Sequence, residues 1–173
     1  MGFRAKDVAY DPHVTVEEMQ QHGVEKCESL HQMLAQSDFV SIHTVLNPDT
    51  HHLIDANALG QMKKTAFLIN VSRGAIVDEF ALLEALKKGA IAGAGLDVYS
   101  REPLDLQDHP LAELFAMPNV ILSPHLTFYT EQAMERLERE TLERCDEILN
   151  GKPVSIKSQD PRLRAQTHGV QFV

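Results

Sequence analysis

The chain has 173 residues, 43% of them hydrophobic, with 16 basic and 25 acidic side chains and a net charge of −9; that suits one domain with its own core and argues against disorder throughout. The acidity excludes a surface built to track nucleic-acid phosphates, so no direct nucleic-acid partner is expected. The two cysteines, Cys27 and Cys145, lie far apart and outside metal-ligand spacing, and no run has the length of a signal-peptide core or the roughly 20 apolar residues of a membrane span, so the sequence reads as a cytoplasmic protein with free thiols, no metal centre and no membrane partner.

In chain order, residues 7–11 read as a strand stopped by Pro12, and residues 15–22 as a short helix with Thr15 as N-cap. Residues 24–26 suit a very short strand. Residues 29–36 place Leu30, Met33 and Leu34 at helical spacing. A strand follows over 39–43, then a turn by composition at 47–50 and a helix over 55–61 with Asp55 as N-cap. The apolar run 66–70 reads as a strand buried on both faces. Residues 79–88 form an amphipathic pattern ended by Gly89, with strands expected at 94–98 and 120–122. The longest predicted helix is 130–149, with Ala133, Leu137, Leu142, Cys145 and Ile148 roughly on one stripe. The tail 155–173 shows no period. Strands alternating with helices predict a doubly wound parallel α/β sheet with helices on both faces.

Chemistry concentrates after the predicted strands. Residues just past the C-terminal ends of parallel strands line the binding crevice of an open α/β sheet. Asp11 closes the first strand, where an acid would accept hydrogen bonds from ribose hydroxyls and disfavour a 2′-phosphate; taken alone, such a residue is more often an ordinary turn-starting Asp before Pro12. Arg73, in the Ser72-Arg73-Gly74 segment, could hold a carboxylate bidentately, or simply pair with Asp78 or Glu79. Asp97 ends the next strand, Glu102 follows five residues on, and His125 follows the strand after that. An imidazole beside a carboxylate has a fixed tautomer and a raised basicity. A lone loop histidine is more often just solvated, but three such groups after three successive strands point into one crevice.

The segment NVSRGAIVDEFALLEALKKGAIAGAGLDVYSREPL, with its spacing to NVILSPHLTFYTEQA, resembles the signature of the D-isomer-specific 2-hydroxyacid dehydrogenases, and the likeness covers residues 7 to 153. The stretches HTVLNPDTHHLI and SPHLTFYTEQA look closest to that family's C-terminal-binding protein branch of dehydrogenase-like corepressors. The resemblance implies a Rossmann-type NAD-binding domain and reduction of 2-oxo acids by hydride transfer from the nicotinamide. Arg73 would bind and polarise the 2-oxo acid, His125 would protonate its carbonyl oxygen, and Glu102 would pair with His125. Asp11, Thr44, Asn47, Thr50, Val71, Ser72, Arg73, Asp97, His125 and Phe128 would lie along the NAD, with Asp97 at the nicotinamide carboxamide. Phe128, where the corepressors carry a tryptophan, would wall the substrate pocket or equally be core. A full-length parent would be a homodimer acting on a small 2-oxo or 2-hydroxy acid.

The sequence departs from that family in two respects. It holds no G-x-G-x-x-G, the loop whose amides bind a pyrophosphate, and no substrate domain precedes the cofactor domain. The expectation is therefore an N-terminally truncated domain lacking its first strand, with residues 1–125 as an incomplete dinucleotide-binding domain and 126–173 as a helix and tail that would pack on a missing substrate domain. Weak NAD binding and no turnover by the chain alone are expected. Three functions follow: a fragment of an NAD-dependent D-2-hydroxyacid dehydrogenase, an NAD-sensing corepressor-like module with a nuclear location, or a degenerate chain.

Overall fold

Helix starts are set by short polar side chains. Thr15, Ser29, Asp55, Asp78 and Thr130 each sit in extended backbone and accept a hydrogen bond from an amide in the first turn of the helix that follows; each such cap contributes about 1 kcal/mol. Thr15 and Glu18 form a reciprocal capping box. In this computed structural model, which describes residues 5–103, 109, 111–157 and 169–172, the resulting helices are α1 (Val16–Gln21), α2 (Leu30–Gln36), α3 (Ala56–Gln61), α4 (Glu79–Lys87) and α5 (Glu131–Leu149). Gly89, at φ +62°, takes the left-handed turn that ends α4.

The chain divides into two units, residues 1–127 and 128–173. In the first, strands β3 (Phe39–Ile42), β4 (Phe67–Asn70), β5 (Gly93–Leu96) and β6 (Val120–Leu122) form a parallel sheet in chain order. Parallel strands need crossovers; α3 bridges β3 to β4 and α4 bridges β4 to β5. β1 (Val8–Ala9) and β2 (Glu25–Lys26), joined through α1, pair in a separate two-stranded parallel sheet. This is the expected parallel α/β architecture, except that α2, α3 and α4 cover one face of the four-stranded sheet where helices on both faces were expected, and that the expected strand at 7–11 is reduced to the two residues that find partners on β2.

Side chains alternate across the strands. Val40, Ile42, Leu68, Ala94 and Leu96 point into a core completed by Leu34, Leu59, Leu82 and Leu86 from α2, α3 and α4. The opposite face carries Phe39 at 71% and Ile121 at 77% exposure, with the Phe39 ring stacked on Phe67 at 5.5 Å. The expectation that residues 66–70 are buried on both faces is therefore corrected: Leu68 and Asn70 are buried, Phe67 is not. The reason is that α2, α3 and α4 pack side by side over a single face of the sheet.

In the second unit, α5 has no buried residue. The tail, in which the sequence shows no period, pairs β7 (Val154–Ile156) in parallel with β8 (Val170–Phe172). Glu147 of α5 holds β7 by accepting from the Ser155 amide at 2.9 Å and its hydroxyl at 2.7 Å. Three-residue strands are too short to show a sequence period.

Candidate active site

The loops after β3, β4, β5 and β6 meet beyond the C-terminal ends of the strands. Asn70 ends β4 fully buried, so its amide must find partners. Its NH2 donates to the Arg73 carbonyl at 3.0 Å and its Oδ1 accepts from the Ser72 amide at 3.1 Å. This folds the loop back on the strand and fixes where Arg73 leaves it. The Ser72 hydroxyl donates to the carbonyl of Thr44, tying this loop to the one after β3. Gly74 then passes so close to the next loop that a Cβ there would lie 2.0 Å from the Tyr99 carbonyl carbon. Only glycine allows that approach, which sets Arg73 beside the loop carrying Glu102.

That second loop is fixed at several points. Its Ser100 amide donates to Glu79 Oε1 at 2.9 Å, and the Tyr99 hydroxyl lies 3.0 Å from the carbonyls of both Leu96 and Ser123. Burial, then the nearby Asp97 charge, push the Tyr99 hydroxyl up to about 12, so it stays protonated as a donor. The Tyr99 amide donates to Glu102 Oε1 at 3.0 Å, and His125 Nδ1 lies 2.8 Å from Glu102 Oε2. Burial works to raise the Glu102 carboxyl. The bonds from His125 and the Tyr99 amide, with the charges of His125 and Arg73, outweigh it and hold Glu102 below the usual carboxylate range. An ionised Glu102 can only accept, so Nδ1 carries the proton of the shared bond and a change in the protonation of His125 falls on Nε2.

His125 has φ +58°, a left-handed conformation that costs a non-glycine residue roughly 1–2 kcal/mol. Asp97 holds it there. Only 2% exposed, its Oδ1 accepts from the Ser123 hydroxyl and the Leu126 amide (2.9 Å). Its Oδ2 accepts from the Thr127 amide (3.1 Å) and hydroxyl (2.7 Å). Burial opposes its charge, but these bonds from Ser123, Thr127 and Leu126 bring its carboxyl down to about 2. Asp97 is thus a clamp around His125, a role its place at a strand end did not reveal. Asn70 was missed too, although an Asn closing an apolar strand before Ser-Arg-Gly was a visible signal.

The other expected cofactor contacts divide by what their side chains do. Asn47 Oδ1 accepts from the amides of Asp49 (2.9 Å) and Thr50 (3.0 Å), while the Thr50 hydroxyl donates to the Val45 carbonyl at 2.6 Å. Both therefore close the 45–51 turn. Thr44, Val71 and Ser72 lie on the joined loops after β3 and β4. Asp11 follows β1, where its Oδ1 accepts from the His13 amide at 2.8 Å. Phe128 opens the second unit at 53% exposure, edge-on to Tyr129, and so is not core. The expected dinucleotide contacts thus fall on an acid after β1, on the loops after β3 to β6 and on Phe128. Among the described residues no group of His, Cys, Asp and Glu is placed to hold a metal, and no helix is long and apolar enough to cross a membrane.

Residues 1–127 match the family model described as D-isomer specific 2-hydroxyacid dehydrogenase, NAD binding domain. The chain is 41% identical over 134 residues to a D-lactate dehydrogenase of Treponema pallidum, covering 72% of this chain and 40% of that protein. It is 39% identical over 153 residues to a D-specific alpha-keto acid dehydrogenase of Enterococcus faecalis, covering 83% and 45%. The crystal structure of a D-lactate dehydrogenase with NAD+ from Lactobacillus jensenii superposes with a TM-score of 0.76 at 32% identity, covering 87% of this chain and 47% of that one. The chain thus spans less than half the length of these relatives. It belongs to the D-isomer specific 2-hydroxyacid dehydrogenase family, with residues 1–127 as NAD-binding domain sequence.

Proposed function

We propose that this chain carries the proton-transfer and carboxylate-binding groups of an NAD-dependent enzyme that reduces 2-oxo acids to D-2-hydroxy acids. The observation that carries the reading is the 2.8 Å contact between His125 Nδ1 and Glu102 Oε2, on the loop that Gly74 brings against Arg73. NAD, when bound, supplies the hydride. Thr44, Val71 and Ser72, on the loops after β3 and β4, would lie along it, and Asp11 would accept from its ribose hydroxyls. Arg73, whose Nη1 donates to the Ser72 carbonyl at 2.7 Å, has further guanidinium N–H donors for the substrate carboxylate. His125 gives its Nε2 proton to the carbonyl oxygen as charge develops there, and Glu102 stabilises the protonated ring and sets its tautomer. This reading places the protein in the cytoplasm, as a homodimer when complete, with residues 126–173 serving a substrate domain.

The test is His125→Gln in the whole protein. Because the proton is needed only in the transition state, oxo-acid turnover should fall by about 10²–10⁴ while NADH affinity stays within about twofold. Equal losses in turnover and NADH affinity would make His125 structural, and an already inactive parent would point to the degenerate reading. A corepressor-like module rests on the stretches HTVLNPDTHHLI and SPHLTFYTEQA; it would bind a peptide partner in an NAD-dependent way with negligible turnover.

A further inference from the structure

Glu102 can serve His125 only if its own loop is held in place, and one clamp on that loop lies outside the groups described so far. His109 is 6% exposed, and both of its ring nitrogens are engaged. Nδ1 lies 3.1 Å from the amide of Leu111, and Nε2 lies 3.0 Å from the carbonyl of Arg101, the residue before Glu102. The two partners settle the tautomer. A backbone amide can only donate, so Nδ1 accepts; a carbonyl can only accept, so the ring proton sits on Nε2. The neutral Nε2–H form satisfies both bonds at once.

The two ends of this bridge differ in kind. The Leu111 end is anchored in the core: Leu111 and Leu114 are each 1% exposed, and the His109 carbonyl accepts from Ala112 at 2.9 Å. The Arg101 end is the loop that presents Glu102. The ring of Tyr99, whose amide donates to Glu102 Oε1, meets the His109 ring edge to face at 6.5 Å between centroids. We propose that His109 is a positioning residue for the reaction assigned above: its Nε2–H fixes the Arg101 carbonyl and so aims Glu102 at His125. The inference rests on that catalytic reading for its purpose, but not for its geometry.

Two substitutions separate the two bonds. His109→Asn would place an acceptor where Nδ1 is and keep the turn onto Leu111, a turn asparagine favours, while losing the donor to Arg101. His109→Gln would place a donor where Nε2 is and keep the Arg101 bond while losing the turn. The experiment is therefore the first variant against the second in the whole protein, read by 13C NMR titration of the Glu102 carboxyl and by turnover. With positioning lost, His109→Asn should move the Glu102 titration upward by about one pH unit, because the bond from His125 to the charged carboxylate weakens. Turnover should fall about tenfold with NADH affinity unchanged. His109→Gln should leave the titration in place.

The reverse ranking, or equal effects of the two, would show a merely structural histidine and overturn the proposal. If either variant fails to fold, 15N correlation of the wild-type ring still decides: a proton on Nδ1 of His109 is incompatible with the bridge. The titration does not depend on turnover, so its failure is distinguishable from failure of the catalytic reading, which His125→Gln tests separately.

Discussion

At the scale of single residues, two carboxylates on the one loop after β5 have been given different tasks by their surroundings. Glu102 is partly open and its charge faces a histidine; Asp97 is closed in and its charge faces amides and hydroxyls. The consequence for Asp97 can be worked out with its sign. Its carboxyl titrates near 2 in the folded chain against an ordinary 3.8. A depressed folded value means the clamp's contribution is complete above about pH 4 and is lost as pH falls through about 2. The loop around residues 123–127 should therefore loosen in that window while neutral pH leaves it closed, as amide chemical shifts of Leu126 and Thr127 would report. Asp97→Asn removes the charge but leaves the donors of Ser123, Leu126 and Thr127 aimed at the site, and should cost about 2–3 kcal/mol in urea unfolding at pH 7. A loss below about 0.5 kcal/mol at that pH would mean the clamp contributes little.

At the scale of elements, the site depends on how closely two loops approach. Gly74→Ala puts a Cβ within 2.0–2.5 Å of the Tyr99 and Ser100 backbone, an overlap no rotamer can relieve because the obstacle is main chain. The variant should lose about 1–3 kcal/mol of stability. It should also separate Arg73 from Glu102, raising KM for the oxo acid more than it changes NADH affinity; unchanged stability and KM would refute the close approach. This part of the molecule was only half legible in the sequence. Strand-end positions for Arg73, Glu102 and His125 followed from alternation and the location of apolar runs. The capping residues Thr15 and Asp55 were legible too, since capping is a local matter of one side chain and the next turn. What pins the loops was not, because Asn70, Asp97 and His109 act through partners up to 30 residues away or through backbone atoms that any residue supplies. For the same reason the hydrogen bonds by which Asn47 and Thr50 close their own turn were not legible.

At the scale of the whole molecule, order should follow sheet size. A two-stranded sheet is marginal without further partners, whereas three or more strands over a hydrophobic face hold independently. β1 and β2 contribute two residues each, against four strands backed by α2, α3 and α4 in the second sheet. In hydrogen exchange, the Val8 and Ala9 amides should exchange much faster than those of Leu68 and Ile69; equal protection would show that the small sheet is not the weaker part. The open face bearing Phe39, Phe67 and Ile121 was not foreseen, since an apolar run looks the same whether one or both faces are covered. Through these differences the central claim stays local: Glu102 and His125 act as one unit. A double-mutant cycle on oxo-acid kcat/KM in the whole protein measures that directly. If they are a unit, Glu102→Gln added to His125→Gln should cost almost nothing further, within about threefold of the single His125 variant. Losses that multiply, each mutation costing as much in the presence of the other as alone, would contradict the account.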